Sequence, residues 1–193
     1  IVKPKAGKKL GVIVEASPYH GTLYDRTGGR MLPLPGKDGK LVGLSGFFPK
    51  RGYAVVFMDM RGTGLSSGCL NTLGRADQSD LHDVIEWAAD QPWSNGRVGM
   101  IGHSYVGSTP ITATVLKPKG LATIVTSAGL PAIYDHQWQL GVAYNAPYLG
   151  PIETYQQPAL QRELPTGAGI SPPGLGDICR TVEQCVSDPT QVG

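Results

Sequence analysis

The sequence has little net charge, few cysteines, few histidines and no long apolar run. Lysine and arginine number 17 against 15 aspartates and glutamates, a formal charge of +2 at neutral pH. The one lysine cluster, Lys3, Lys5, Lys8 and Lys9, reads as a solvated terminus rather than an arm for nucleic acid, so no nucleic-acid partner is expected. No hydrophobic stretch nears the roughly 20 residues of a membrane span, so no membrane partner is expected either. The chain begins at Ile1, and the lack of a visible leader peptide therefore carries no weight. None of the three cysteines has a histidine near it at ligand spacing, so no metal site and no cofactor is expected. Cys179 and Cys185 lie close together, with Cys69 far upstream. A disulfide within the pair, or from Cys69 to one of them, would suit an exported protein, which is the expectation; three reduced thiols is the alternative.

Glycine (27) and proline (16) are abundant, which predicts many loops between elements that are still clear. The chain is long enough for one domain with a sizeable core. Gly11–Ala16 reads as a short apolar strand, and Ala54–Met58, apolar on both faces, as a central parallel strand. Between them, residues 21–43 read as loop and Leu44–Arg51 as a short helix with Phe47 and Phe48 turned inward. Asp77–Asp90 is the clearest helix. Leu81, Val84, Ile85, Ala88 and Ala89 form one apolar face, with Asp77, Ser79 and Asp80 as cap and first-turn groups. His82 falls away from that face and reads as a surface residue. Leu121–Thr126 is a further strand. Strand, helix, strand, helix, strand predicts an α/β fold with a mostly parallel sheet and helices on both faces. Residues 1–130 read as the core. Residues 131–193, with scattered prolines and Tyr134, Trp138, Tyr144, Tyr148 and Tyr155, read as the start of a cap or insertion over the C-terminal edge of the sheet.

Arg97–Pro110 organises the rest. A buried strand (Val98, Met100, Ile101) runs into Gly102-His103-Ser104-Tyr105-Val106-Gly107, followed by a helix expected from about Ser108 to Leu116. This is strand, sharp turn and helix with a serine at the apex, the arrangement that exposes a nucleophile above a sheet. A Cβ at Gly102 or Gly107 is expected to clash there. The pattern alone is weak, since chance supplies about 0.2 such matches in so glycine-rich a chain. A second match, Gly64-Leu65-Ser66-Ser67-Gly68, has no helix after it and reads as a loop decoy. Context therefore selects Ser104.

The same segments resemble a known family. Gly102-His103-Ser104-Tyr105-Val106-Gly107 is similar to the motif of the S15 serine peptidases, which include Xaa-Pro dipeptidyl-peptidases and cocaine esterase-like acyl esterases. Ser17-Pro18-Tyr19, Arg51–Val56 with Asp59-Met60-Arg61-Gly62, and Trp93–Met100 agree with it, over residues 11–145. The resemblance implies an α/β-hydrolase fold and a serine hydrolase working through an acyl-enzyme on a small peptide or acyl ester. Ser104 would be the nucleophile, with the Tyr105 N–H and the Tyr19 hydroxyl holding the oxyanion. Ala128–Asp135 is similar to the stretch carrying proline-pocket aromatics, which implies that Ile133, Tyr134 and His136 bind substrate. Ile133 and His136 depart from the family's usual tryptophan and tyrosine. An Xaa-Pro dipeptidyl-peptidase is the first reading, an acyl esterase the second, and a non-catalytic hydrolase-like binding module the third.

The triad in such folds runs Ser, Asp, His along the chain. Of the four histidines, His20 and His82 precede Ser104 and His103 adjoins it, with a side chain expected to point away. His136 follows too soon to be the base. The acid and base are therefore expected outside these 193 residues, with the chain as the first part of a larger hydrolase domain.

Overall fold

In the computed structural model, the described residues are 1–5, 7–18, 43–63, 66, 68 and 71–132, with the backbone alone of 138–139 and 142–143. The elements are β1 (Leu10–Ser17), α1 (Gly43–Phe47), a 3₁₀ turn (Pro49–Arg51), β2 (Tyr53–Asp59), α2 (Arg75–Asp90), β3 (Ser94–His103), α3 (Tyr105–Ala113), β4 (Leu121–Ser127), β5 (Trp138–Gln139) and β6 (Val142–Ala143). The last two form a separate antiparallel pair.

The first four strands make one parallel sheet in the order β2–β1–β3–β4. Parallel neighbours need a crossover between them, and the helical segments supply it. Register runs from Gly11 opposite Tyr53 to Ser17 opposite Asp59, and Val12 and Val14 face Val98 and Met100 on β3. β4 slips by one residue after Val98 and ends with Ser127 opposite His103. Strand ends therefore lie level in pairs at the C-terminal rim. At the other edge Val2 bridges Val55 antiparallel, with N–H···O distances of 2.9 and 2.8 Å in the two directions.

Alternate residues of β1 (Val12, Val14, Ala16) are buried and share one cluster with Val98 and Met100 of β3 and with Leu81, Ile85 and Ala88 of α2. Tyr105 and Ala113 of α3 belong to the same cluster, as do Val56, Met60 and Leu73. Fully burying a Val, Leu, Ile or Met side chain contributes about 1.5–3 kcal/mol, so Leu81 and Ile85 of the α2 stripe read from the sequence help to hold this face together. Both long helices lie on this one face and touch each other. Helices are expected on both faces, and most of the crossover from β1 to β2, residues 19–42, lies outside the described residues. Among the described residues the opposite face, bearing Ile13, Ile101 and Val125, carries no long helix, and Val125 is 56% exposed. The strands are apolar on both faces, and that pattern says that each face can be covered without saying by what. Among the described residues no helix is long and apolar enough to cross a membrane.

Two local expectations change. The helix expected over Leu44–Arg51 breaks into α1 and the 3₁₀ turn, because Pro49 has no N–H to continue the ladder. Phe47 consequently faces outward, with the Arg51 guanidinium 3.6 Å above its ring, while Phe48 is half-buried and edge-on to Tyr53. At the start of α2 the cap is not an acid. The N-cap residue is Gly74, and the Asn71 side chain accepts from the Ala76 N–H at 3.1 Å. Asp77 turns into the protein instead and is fully buried.

Candidate active site

β3 ends at His103 and α3 begins at Tyr105, so Ser104 alone makes the turn. Its backbone sits at φ 61°, ψ −127°, a conformation that L-residues avoid and that costs on the order of 1–3 kcal/mol. The surroundings hold it there. The Ser104 N–H donates to the Ser127 carbonyl at 2.9 Å, and the Ser104 carbonyl accepts from the Gly107 and Ser108 N–H groups at 2.9 and 3.0 Å. Two glycines make the approach possible. A Cβ on Gly102 would overlap the Val106 carbonyl, and one on Gly107 would overlap the Ser127 carbonyl. Both overlaps are with backbone, which cannot swing aside. Ser104 itself is exposed.

The strained, exposed serine and the role of both glycines match the sequence reading. The helix does not: it starts at Tyr105 rather than Ser108 and ends at Ala113 rather than Leu116. Val106, Gly107 and Pro110 are poor helix formers, so local propensity argued for a later start. Close packing on β3 and β4 overrides it. As a result Tyr105 stands in the first turn of α3, where backbone donors and the helix dipole favour negative charge.

The rival serine is different in kind. The Ser66 hydroxyl donates to the Asp59 carbonyl at 2.8 Å, and α2 begins only at Arg75. His103 places its Nδ1 3.1 Å from the Ser127 hydroxyl, across the two strands and on the face opposite α3. His82 lies on the surface, 2.9 Å from Asp83 and 3.3 Å from Glu86.

The rim beside Ser104 is built from three chain segments. The β1 end reaches it through Ser17, whose carbonyl accepts from the Met60 N–H at 3.1 Å. That bond joins it to the connection after β2, which is clasped to the N-terminal half of α2. Arg61 donates from Nε and Nη2 to the two carboxylate oxygens of Asp80, each at 2.7 Å. The buried Asp77 carboxylate accepts from the Leu73 N–H at 2.7 Å and from the Asn71 N–H at 3.4 Å, with Arg61 Nε 3.8 Å away. This holds Thr72 and Leu73 at positive φ (46° and 65°). Burial pushes the Asp77 carboxyl up to about 6, against the opposing pull of the Leu73 and Asn71 N–H groups and of Arg61. The hydrogen bond to Asp80 raises the Arg61 guanidinium.

The third segment follows β4. Ala128 takes a left-handed step at φ 50° and Leu130 donates its N–H to the Ser108 hydroxyl at 2.8 Å. The Thr126 hydroxyl donates to the Gly107 carbonyl at 2.5 Å. Sequence reasoning passed over these small hydroxyl residues, because a serine or threonine next to a glycine reads as an ordinary turn residue. The one hint was Pro110 inside a helix, which leaves a carbonyl in need of another donor.

Of the predicted site residues, the structure places Ser104 and Tyr105 together. Tyr19, Ile133, Tyr134 and His136 lie outside the described residues, as do Cys69, Cys179 and Cys185. Tyr19 directly follows Pro18, which is buried at the rim end of β1.

Comparison with known proteins agrees with this geometry. The family described as X-Pro dipeptidyl-peptidase (S15 family) matches residues 1–170. A protein of Streptomyces avermitilis, provisionally named an Xaa-Pro dipeptidyl-peptidase, is 31% identical over 164 residues, 73% of this chain and 24% of that protein. The cocaine esterase of a Rhodococcus species is 37% identical over 91 residues, 47% of this chain and 16% of the esterase. The crystal structure of a CocE/NonD family hydrolase from Staphylococcus aureus superposes with a TM-score of 0.66 at 25% identity, over 84% of this chain and 30% of that one. The chain thus spans about a quarter of the length of several curated relatives, 24 to 27% in three of them. Its four-stranded parallel sheet, its serine turn and its match over most of its length give it an α/β-hydrolase fold, and the chain belongs to the S15 family, that of the X-Pro dipeptidyl-peptidases.

Proposed function

We propose that the protein is a serine hydrolase that cleaves an acyl bond through an acyl-enzyme at Ser104. The observation that carries this reading is the Ser104 backbone at φ 61°, ψ −127°, exposed and set between a strand end and a helix start. Strain of this size persists only where the surroundings impose it, and it gathers at working sites. The Ser104 hydroxyl attacks the substrate carbonyl carbon. A histidine outside the described residues takes the hydroxyl proton and returns it to the leaving group. The Tyr105 N–H and the Tyr19 hydroxyl hold the oxyanion, and removing one such donor typically costs about 10²–10³ in kcat. Water then releases the acyl group by the reverse sequence of proton transfers.

The preferred substrate class is a peptide with proline second from its N-terminus, cleaved after that proline. Support comes from the family match and from the segment beginning at Ala128, which leads to Ile133, Tyr134 and His136 as the pocket. On this proposal residues 131–193, most of which lie outside the described residues, are the start of a cap over it. The second reading, an acyl esterase, is favoured by the 37% identity to the Rhodococcus cocaine esterase and by Ile133 and His136 themselves. A single comparison separates them: the full-length protein is given Ala-Pro p-nitroanilide and p-nitrophenyl acetate, and its reaction with a fluorophosphonate is mapped by mass spectrometry. One adduct, on Ser104, with faster turnover of the anilide is the expected result. Faster turnover of the ester moves the assignment to the esterases. No adduct on Ser104 and no turnover of either sinks the hydrolase reading in favour of a binding module.

A further inference from the structure

Two adjacent hydroxyls lie one turn beyond Ser104, and each is tied to a different part of the rim. Thr109 is fully buried, and its Oγ1 lies 3.0 Å from the Val106 carbonyl and 3.0 Å from the Ala16 carbonyl. Pro110 explains the first contact. It has no N–H to give the Val106 carbonyl four residues back, so the neighbouring hydroxyl stands in, its one proton shared between the Val106 and Ala16 carbonyls. The second contact crosses from α3 to β1, three residues before Tyr19. Ser108, also buried, accepts the Leu130 N–H at 2.8 Å, three residues before Ile133, just after the left-handed step at Ala128. Packing reinforces this, since a Cβ on Gly129 would overlap the Gly107 carbonyl of the same helix turn.

We infer that Ser108 and Thr109 are positioning residues with divided tasks. Thr109 fixes the separation between the serine turn and the β1 end that leads to Tyr19, and so governs kcat. Ser108 fixes the segment that leads to Ile133 and Tyr134, and so governs KM and the choice of acyl group. The inference rests on the serine-hydrolase reading above for what the two segments do, but not for which hydroxyl holds which segment. A carbonyl that loses its donor, as at Ala16, or an N–H that loses its acceptor, as at Leu130, relaxes by moving inside a packed interface, and displacements on the order of 1 Å cost about 10²-fold in well-aligned sites.

The test uses the full-length protein and the variants Thr109→Val, Thr109→Ser and Ser108→Ala. It combines kinetics on Ala-Pro p-nitroanilide and p-nitrophenyl acetate with backbone hydrogen exchange of peptides covering residues 12–18 and 126–132. Thr109→Val is expected to lower kcat about tenfold or more with KM within about twofold, and to speed exchange in 12–18 alone. Thr109→Ser, which keeps the hydroxyl, should restore kcat to within about threefold. Ser108→Ala should raise KM about five- to tenfold with kcat nearly unchanged, and speed exchange in 126–132 alone. If both sites shift the same constant, if serine at 109 rescues nothing, or if exchange changes in neither or both peptides, the division of tasks is wrong. Should Thr109→Val fail to fold, Ser108→Ala and Thr109→Ser carry the decision by the same criteria. A parent protein that turns over neither substrate removes the hydrolase reading, and the exchange data then decide the positioning claim by themselves.

Discussion

Asp77 gives the sharpest quantitative test of how this fold is held. Its carboxyl is fully buried at the first turn of α2, accepts two backbone N–H groups and has Arg61 3.8 Å away. Those three contacts favour the charged form and burial opposes it. Burial wins, and the group titrates at about 6 in the folded protein against 3.8 ordinarily. The sign follows from that order. A group that holds its proton more tightly when folded adds stability below its ordinary value, and that stability is lost as pH rises through about 6. At 1.36 kcal/mol per unit, the gap between the two values amounts to about 3 kcal/mol. Asp77→Asn is neutral at every pH and keeps one oxygen for the Leu73 N–H. Other titrating groups cancel in the difference between parent and variant. The expected outcome is that the variant gains on the parent by about 2 kcal/mol between pH 4 and pH 8, the remainder of the change falling below pH 4. Urea unfolding at fixed salt, followed by the fluorescence of Trp87 and Trp93 beside this helix, measures it. A difference that stays flat over that range, or one that favours the parent at high pH, would show that Arg61 and the two amides outweigh burial, and the reasoning would fail.

Three other outcomes are expected. Ser104→Gly removes the Cβ from a conformation that glycine adopts easily, so it should raise the melting temperature by the equivalent of about 1 kcal/mol while abolishing the fluorophosphonate adduct; a lower melting temperature would contradict the strain. Gly102→Ala forces a methyl against the Val106 carbonyl and should cost about 1–3 kcal/mol together with labelling at Ser104, read by thermal melt and intact mass. Arg61→Lys keeps the charge but loses the two-pronged contact with Asp80, and should destabilise by about 1 kcal/mol in denaturant unfolding; Arg61→Ala should cost more, because it also leaves the buried Asp77 without a nearby cation.

What could be read from the sequence follows from which signals are local. The four strands of the sheet and the apolar stripe of α2 were legible because burial imposes a period on the residues themselves. So was the serine turn, because a glycine two positions before Ser104 and another three after it, between a strand and a helix, have few other uses. The start of α3 was not, since its early turns hold Gly107 and Pro110, which only contact with β3 and β4 makes acceptable. Asp77 was misjudged for a related reason. An acid in a first turn ordinarily faces water, and what draws this one inward is a pair of amides at Asn71 and Leu73, in a turn with no strong marker in the sequence. Phe47 turned outward because Pro49 broke the helical period two residues later. Beyond the hint of Pro110, Ser108 and Thr109 gave no sign, because their partners Leu130 and Ala16 are brought to them by the folded sheet.

The level strand ends have a consequence for how such a chain can change over time. The four strands of the main sheet run the same way, so the segments leaving it at residues 18, 60, 104 and 128 all depart from one rim. The returns to the opposite rim, at 48–52, 91–93 and 114–120, are short, whereas the stretches that follow β1 and β2, before the next helix begins at Gly43 and at Arg75, are long. Insertions, deletions and new pockets can therefore accumulate around Ser104 without disturbing the turns that set strand order. The scaffold has one end free to experiment and one end that keeps the architecture, so that a fold of this kind can acquire new pockets by rewriting loops alone.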